Sequence, residues 1–156
     1  MTSVLVLGAA GMLGNAVFRH LSLREEFLVH GTTRSTQFHD RFPADMRSRL
    51  IANVNAEDMD SLCSVMATAA PQIVINCIGV IKQLDAAKDP LACLPVNTML
   101  PHRLARLCAL QGARLIHVST DCVFDGSKGN YLESDKPDCD DLYGRSKLLG
   151  EVDYPH

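Results

Sequence analysis

The sequence predicts an α/β fold, a doubly wound parallel sheet of about five strands with helices on both faces. Three observations predict it. Short β-rich runs alternate with segments of helical period along the chain. The runs are almost continuously apolar, as strands covered on both faces are. The first of them, SVLVLG, breaks into a glycine loop that opens a helical segment.

The first strand covers 3–8, and the helix after it carries Leu13, Val17 and Leu21 on one face. FLVHGT (27–32) is the second strand and RLIANV (49–54) the third. Asn55 reads as an N-cap and Asp58 as an acidic first-turn residue of the next helix, whose apolar face is Met59, Leu62, Cys63 and Met66. QIVINCI (72–78) is the fourth strand. In the helix that follows, Leu100, Leu104, Leu107 and Cys108 share a face, and Pro101 falls early enough to be tolerated. ARLIHVS (113–119) is the fifth strand. It feeds a loop rich in Gly, Asp, Pro and Ser, from Asp125 to about Asp140, longer than a connector needs. The βα alternation implies the strand order 3-2-1-4-5. With no repeat, low-complexity tract or linker, 1–156 reads as one domain.

A chain of 156 residues, 47% apolar and 21% charged, is sized and balanced for one globular core. A net charge of -3 and a pI near 6.0 give no basic footprint, so nucleic acid is not expected as a partner. Cys63, Cys77, Cys93, Cys108, Cys122 and Cys139 form no CxxC pair, which suits a reducing compartment. The histidines are scattered and offer no zinc spacing, so no metal is expected. The N-terminus lacks a basic n-region, and no apolar run approaches the roughly 20 residues of a membrane span. The expectation is a cytoplasmic protein without a membrane partner.

VLGAAGMLG places Gly8, Gly11 and Gly14 between the first strand and the first helix, with Ala10 where the commoner dinucleotide fingerprint has its second glycine. Glycine turns the chain tightly, admits a pyrophosphate to the backbone N–H groups, and lets the helix lie close to the sheet. The end of the second strand, where an acidic residue would bind the ribose 2′-hydroxyl of NAD, reads GTTRS. Arg34 stands there, and a guanidinium suits a 2′-phosphate, with Thr33 and Ser35 as candidate helpers. NADP is therefore the expected cofactor, with NAD the alternative.

STDCVFDG puts Thr120 at the carboxyl end of the fifth strand, where ligands of doubly wound sheets bind, and Asn76, Cys77, Ile78 and Gly79 end the fourth strand. YGRSK sets Tyr143 and Lys147 four residues apart, on one face of a helix. A phenol of pKa about 10 donates poorly at neutral pH, and an ammonium nearby favours its ionised form. A Thr hydroxyl opposite would hold a reacting carbonyl oxygen.

With GAAGMLG, STDCVFDG, GNYLESDKPDCDDLYGRSKLLGE and VNTMLPHRLARLCALQGARLIHVSTD in place, the chain resembles the extended short-chain dehydrogenase/reductases. Within them it resembles the dTDP-4-dehydrorhamnose reductase-like sugar-nucleotide branch. The resemblance implies a Rossmann-type fold and catalytic roles for Thr120, Tyr143 and Lys147, with Tyr143 the proton donor and Lys147 the nicotinamide-ribose ligand. It implies cofactor-binding positions at Gly8, Ala10, Gly11, Met12, Leu13, Arg34, Cys77, Ile78 and Gly79, and at Asn53 and Val54 near the adenine. Asn53 stands where the branch usually has Asp, and Cys122 where STDYVF would be usual. The implied reaction is NADP-dependent reduction of a nucleotide-linked 4-keto sugar by a longer parent, whose further strands and substrate domain are missing from these residues. Epimerase or dehydratase chemistry, and a non-catalytic NADP-binding or regulatory subunit, stay open. Analogy places a homodimer interface on the helices at 97–111 and 141–152.

Overall fold

The computed structural model describes residues 1–153. They run β1 (Thr2–Leu7), α1 (Met12–Ser22), β2 (Phe27–Thr32), a 3₁₀ turn (Thr36–Arg41), α2 (Ala44–Arg47), β3 (Leu50–Ile51), α3 (Met59–Ala69), β4 (Ile73–Asn76), a second 3₁₀ turn (Asp85–Lys88), α4 (Pro90–Leu94), a π turn (Pro95–Met99), α5 (Leu100–Gln111), β5 (Arg114–His117), a third 3₁₀ turn (Asp121–Val123) and α6 (Leu142–Leu148). The sheet is parallel in the order β3-β2-β1-β4-β5, as the sequence predicts.

The chain forms two compact units. Among the described residues the first holds 1–78 with Leu104–Val118, and so the whole sheet; the second holds Gly79–Arg103 and Ser119–Asp153.

In the first unit β1 is buried on both faces. Val4 and Val6 join Ala9, Phe18, Val29, Phe42, Met46 and Leu50 in one cluster. Leu5 and Leu7 point to the other face, where α3 packs. Phe18 meets Phe42 edge to face at 5.5 Å, and burying a side chain of this size stabilises by about 1.5–3 kcal/mol. Gly31 of β2 allows this closeness: a Cβ there would stand 2.8 Å from Phe18 and 2.9 Å from the Ala9 Cβ.

Several expected details differ. The third strand spans two residues rather than 49–54, because Asn53 takes a left-handed φ of 61° and bends the edge strand away. The fourth and fifth strands are also shorter than 72–78 and 113–119. Asp58, not Asn55, caps α3 by accepting from Asp60 N, while Asn55 closes a local turn to Glu57 N. Val65 and Ala69 belong to the α3 core face, and Cys63 is exposed. On α1 the buried positions are Gly14 and Phe18, with Leu13 exposed. Pro101 does not lie near the start of its helical run, which begins at Pro90. Leu100 N bonds back to Pro95 O across the π turn, and Pro101 carries no N–H to offer Asn97 O.

Candidate functional site

The glycine loop, Arg34, Asn53, Val54, Cys77 and Ile78 of the expected cofactor cradle lie in the first unit. Gly8 N donates to Thr32 Oγ1 (3.1 Å) and Ala9 N to Thr32 O (2.9 Å), which docks the glycine loop on the end of β2. Gly8 has φ +81°, and a Cβ there would lie 2.8 Å from Ile78 Cγ1. A Cβ on Gly14 would come within 2.2 Å of Gly8 O, so α1 lies as close to the loop as a backbone can. Gly11 caps α1 with no side-chain bond, and no acidic residue stands in the first turn. A glycine cradle leading to a helix N-terminus without a competing carboxylate fits a pyrophosphate. Ala10 is half-buried, while Met12 and Leu13 are exposed at the mouth.

Arg34 is exposed directly after β2. Its expected helpers are engaged elsewhere: buried Thr33 donates to Ser35 O (3.1 Å), and Ser35 Oγ accepts from Gln37 N to cap the 3₁₀ turn. Asn53 is exposed, and Val54 is buried with its N–H on Thr33 O. Asn76, fully buried, accepts from Ile78 N and bonds His117 Nδ1, fixing the chain where Cys77 and Ile78 leave β4. Burial pushes the Cys77 thiol up, away from nucleophilic use.

The second unit holds Gly79, Thr120, Tyr143 and Lys147. Thr120 lies beyond β5, which ends at His117. It caps the third 3₁₀ turn, its hydroxyl accepting from Cys122 N and donating to Asp121 Oδ1 at 3.3 Å. Tyr143 and Lys147 both lie in α6, whose N-cap Asp141 accepts from Gly144 N. Asp141 is also paired with Lys82 at 2.7 Å. The Gly144 N–H and the Lys82 ammonium hold the Asp141 carboxyl below the ordinary range. Gly144 brings α6 against the turn that Thr120 caps, since a Cβ there would lie 2.3 Å from Cys122 O and 2.7 Å from the Cys139 Cβ. Lys147 is only 5% exposed. Burial pushes its ammonium below the ordinary lysine range, against the opposing pull of Glu151 and Cys93.

The sequence reading missed Asn97. From the π turn, buried at 1% exposure, it accepts from Val80 N (2.8 Å) and donates to Val80 O (3.0 Å), and its amide nitrogen also reaches Ser146 Oγ (3.1 Å) and Cys93 Sγ (3.3 Å). Thr98 Oγ1 adds a bond to Ser146 O, and Ser146 Oγ donates to Tyr143 O. The backbone of Gly79–Val80 and the middle of α6 are thus clasped from one side chain. Gly150 takes part, for a Cβ there would meet Asn97 O at 2.0 Å. The available signal was a polar residue on an apolar helical stripe, Cys93, Asn97, Leu100 and Leu104.

Among the described residues no group of His, Cys, Asp and Glu is placed to hold a metal ion, and no helix is long and apolar enough to cross a membrane. The six cysteines are free.

The profile of the family described as RmlD substrate binding domain matches residues 1–153. Methionine adenosyltransferase 2 subunit beta of Mus musculus is 31% identical over 149 residues, 95% of this chain and 41% of that protein. The dTDP-4-dehydrorhamnose reductase of Mycobacterium tuberculosis H37Rv is 44% identical over 84 residues, 51% of this chain and 28% of that protein. The crystal structure of dTDP-4-dehydrorhamnose reductase from Bacillus anthracis, in complex with NADP, is 26% identical with a TM-score of 0.75, covering 96% of this chain and 48% of that one. The chain spans less than half the length of these relatives.

Proposed function

The chain belongs to the family of the RmlD substrate binding domain, and from that membership we propose that it is the cofactor-binding part of an NADP-dependent reductase of nucleotide-linked 4-keto sugars. The observation that carries this is the buried Lys147 on the helix of Tyr143, in a chain that also keeps a complete glycine cradle. An ammonium withdrawn from water is unfavourable for folding and is retained where chemistry needs it.

The glycine cradle and the N-terminus of α1 would hold the pyrophosphate, and Arg34 the 2′-phosphate. Bound NADPH would supply a hydride. Tyr143 would give its hydroxyl proton to the oxygen of the reduced carbonyl, Lys147 would favour the phenolate that is left and hold a ribose hydroxyl, and Thr120 would hold the carbonyl oxygen. We place the protein in the cytoplasm, where six free cysteines stay reduced, and assign the helices at 97–111 and 141–152 to a homodimer, which the apparent mass in gel filtration would test.

Calorimetric titration of the chain with NADPH and NADH tests the cofactor assignment. NADPH binds more tightly, and Arg34→Asp reverses the order, by about 10- to 100-fold in the ratio of affinities. Equal affinities would remove Arg34 from the site. Turnover of a nucleotide-linked keto sugar, abolished by Tyr143→Phe, tests the reaction.

A second reading is favoured by one relative. The mouse protein matched over 95% of this chain is named as a subunit of an adenosyltransferase, so a non-catalytic, NADP-binding subunit is the competing role. NADPH binding with no turnover, together with retention of a partner protein, would select it.

A further inference from the structure

Two side chains that the proposed reaction does not use meet at the Lys147 end of α6. Ser119, the residue before Thr120, donates its hydroxyl to Glu151 Oε1. Glu151 lies four residues beyond Lys147, past the end of α6, where its own N–H donates to Leu148 O at 3.1 Å. Ser119 leads into the turn that Thr120 caps, so this hydrogen bond joins the strand-end segment to the helix of Tyr143 and Lys147. Lys147 is buried and Glu151 exposed.

Among the groups acting electrostatically on Lys147 are Glu151, just past the end of α6, and Cys93, on α4; Tyr143 is on α6 itself. Glu151 contributes a carboxylate. Desolvation disfavours the charged lysine, and an opposite charge nearby offsets it. Without the offset, the ammonium would be lost at a lower pH, and with it the charge that the phenolate of Tyr143 needs.

We propose that Glu151, fixed in place by Ser119, is a positioning residue that acts through Lys147: it supplies the countercharge that keeps the buried ammonium protonated, and it ties the Ser119–Thr120 segment to α6. This rests on the reading of Lys147 as the working partner of Tyr143. Its test needs neither cofactor nor turnover, so the two ideas fail separately.

The chain, labelled with ¹³C at lysine Cε, is titrated by NMR. Lys82, Lys88, Lys128 and Lys136 serve as internal controls. In Glu151→Gln the Lys147 midpoint falls by about one pH unit, and in Ser119→Ala by about half as much, with the controls unmoved. An unchanged Lys147 midpoint in folded Glu151→Gln overturns the proposal. If that variant does not fold, Ser119→Ala decides alone, and a midpoint equal to that of the wild type overturns it.

Discussion

Each of the two units is stabilised internally by a different kind of force. The first is an apolar structure in which Val4, Leu5, Val6, Leu7, Phe18 and Val29 are almost completely buried, and Gly14 of α1 meets the backbone of Gly8 directly. The second is organised by polar side chains. Asn97 clasps Val80 and Ser146, Asp141 pairs with Lys82, and Ser119 bonds Glu151. In the long loop, Tyr131 stacks on Phe124 at 4.4 Å and bonds Asp125, while Lys128 pairs with Asp135 at 2.6 Å. Apolar burial is non-directional and tolerates small shifts, whereas hydrogen bonds fix angles. The unit that holds Thr120, Tyr143 and Lys147 is the one built from directional contacts.

The most damaging way to break the first unit is Gly14→Val. The new Cβ would lie 2.2 Å from Gly8 O, a backbone atom with no freedom to rotate aside. The substitution is expected to lower stability by about 3 kcal/mol or more in urea denaturation, with loss of NADPH binding. A change within about 0.5 kcal/mol would show that α1 does not pack on the loop so closely.

The same contrast explains what the sequence could reveal. The sheet was legible because Val4 to Leu7 and Val29 advertise buried strands by apolarity alone, and Gly8, Gly11 and Gly14 mark the only way past them. Strand three was overextended because Asn53, a residue type that readily takes the left-handed conformation, was read as continuing the apolar run. Asn55 and Asp58 both suit an N-cap, and the choice between them depends on where the helix axis starts. Tyr143 and Lys147 were visible through their spacing. Asn97, Ser146 and Glu151 were not, since each finds its partner far along the chain, with separations of 17 to 49 residues for Asn97 to Val80 and Ser146 and 32 for Glu151 to Ser119. No local pattern encodes such a bond.

Asn97→Leu sharpens the comparison at the second unit. It removes the partners of Val80 N and Val80 O together with one partner of Ser146, and the unsatisfied groups are expected to lower stability by about 2 kcal/mol. Hydrogen exchange should show the loss unevenly: amides of α6 and of Gly79–Val80 exchange faster, while those of β1 and β2 keep their protection. Uniform loss across both regions would refute the division of labour.

The smallest expected effect has the opposite sign. Lys147→Met replaces a buried ammonium by an apolar chain of similar length, so the variant should be more stable than the wild type at pH 7, by about 2 °C in Tm, and lose the turnover that the proposed function assigns to it. The pH dependence follows from the direction of the shift. Burial lowers the Lys147 pKa in the folded chain below the ordinary 10.5 of the unfolded chain. Between the two values the unfolded chain holds a proton that the folded chain has released, so wild-type stability rises with pH through that window. Below it the desolvation penalty is fully present. The advantage of Lys147→Met should therefore be largest at neutral pH and shrink as pH approaches 10.5. Thermal melts of both proteins at pH 7 and pH 10 measure it. A variant less stable than the wild type at pH 7, with a gap that does not change with pH, would show that the ammonium is fully compensated within α6 and its surroundings.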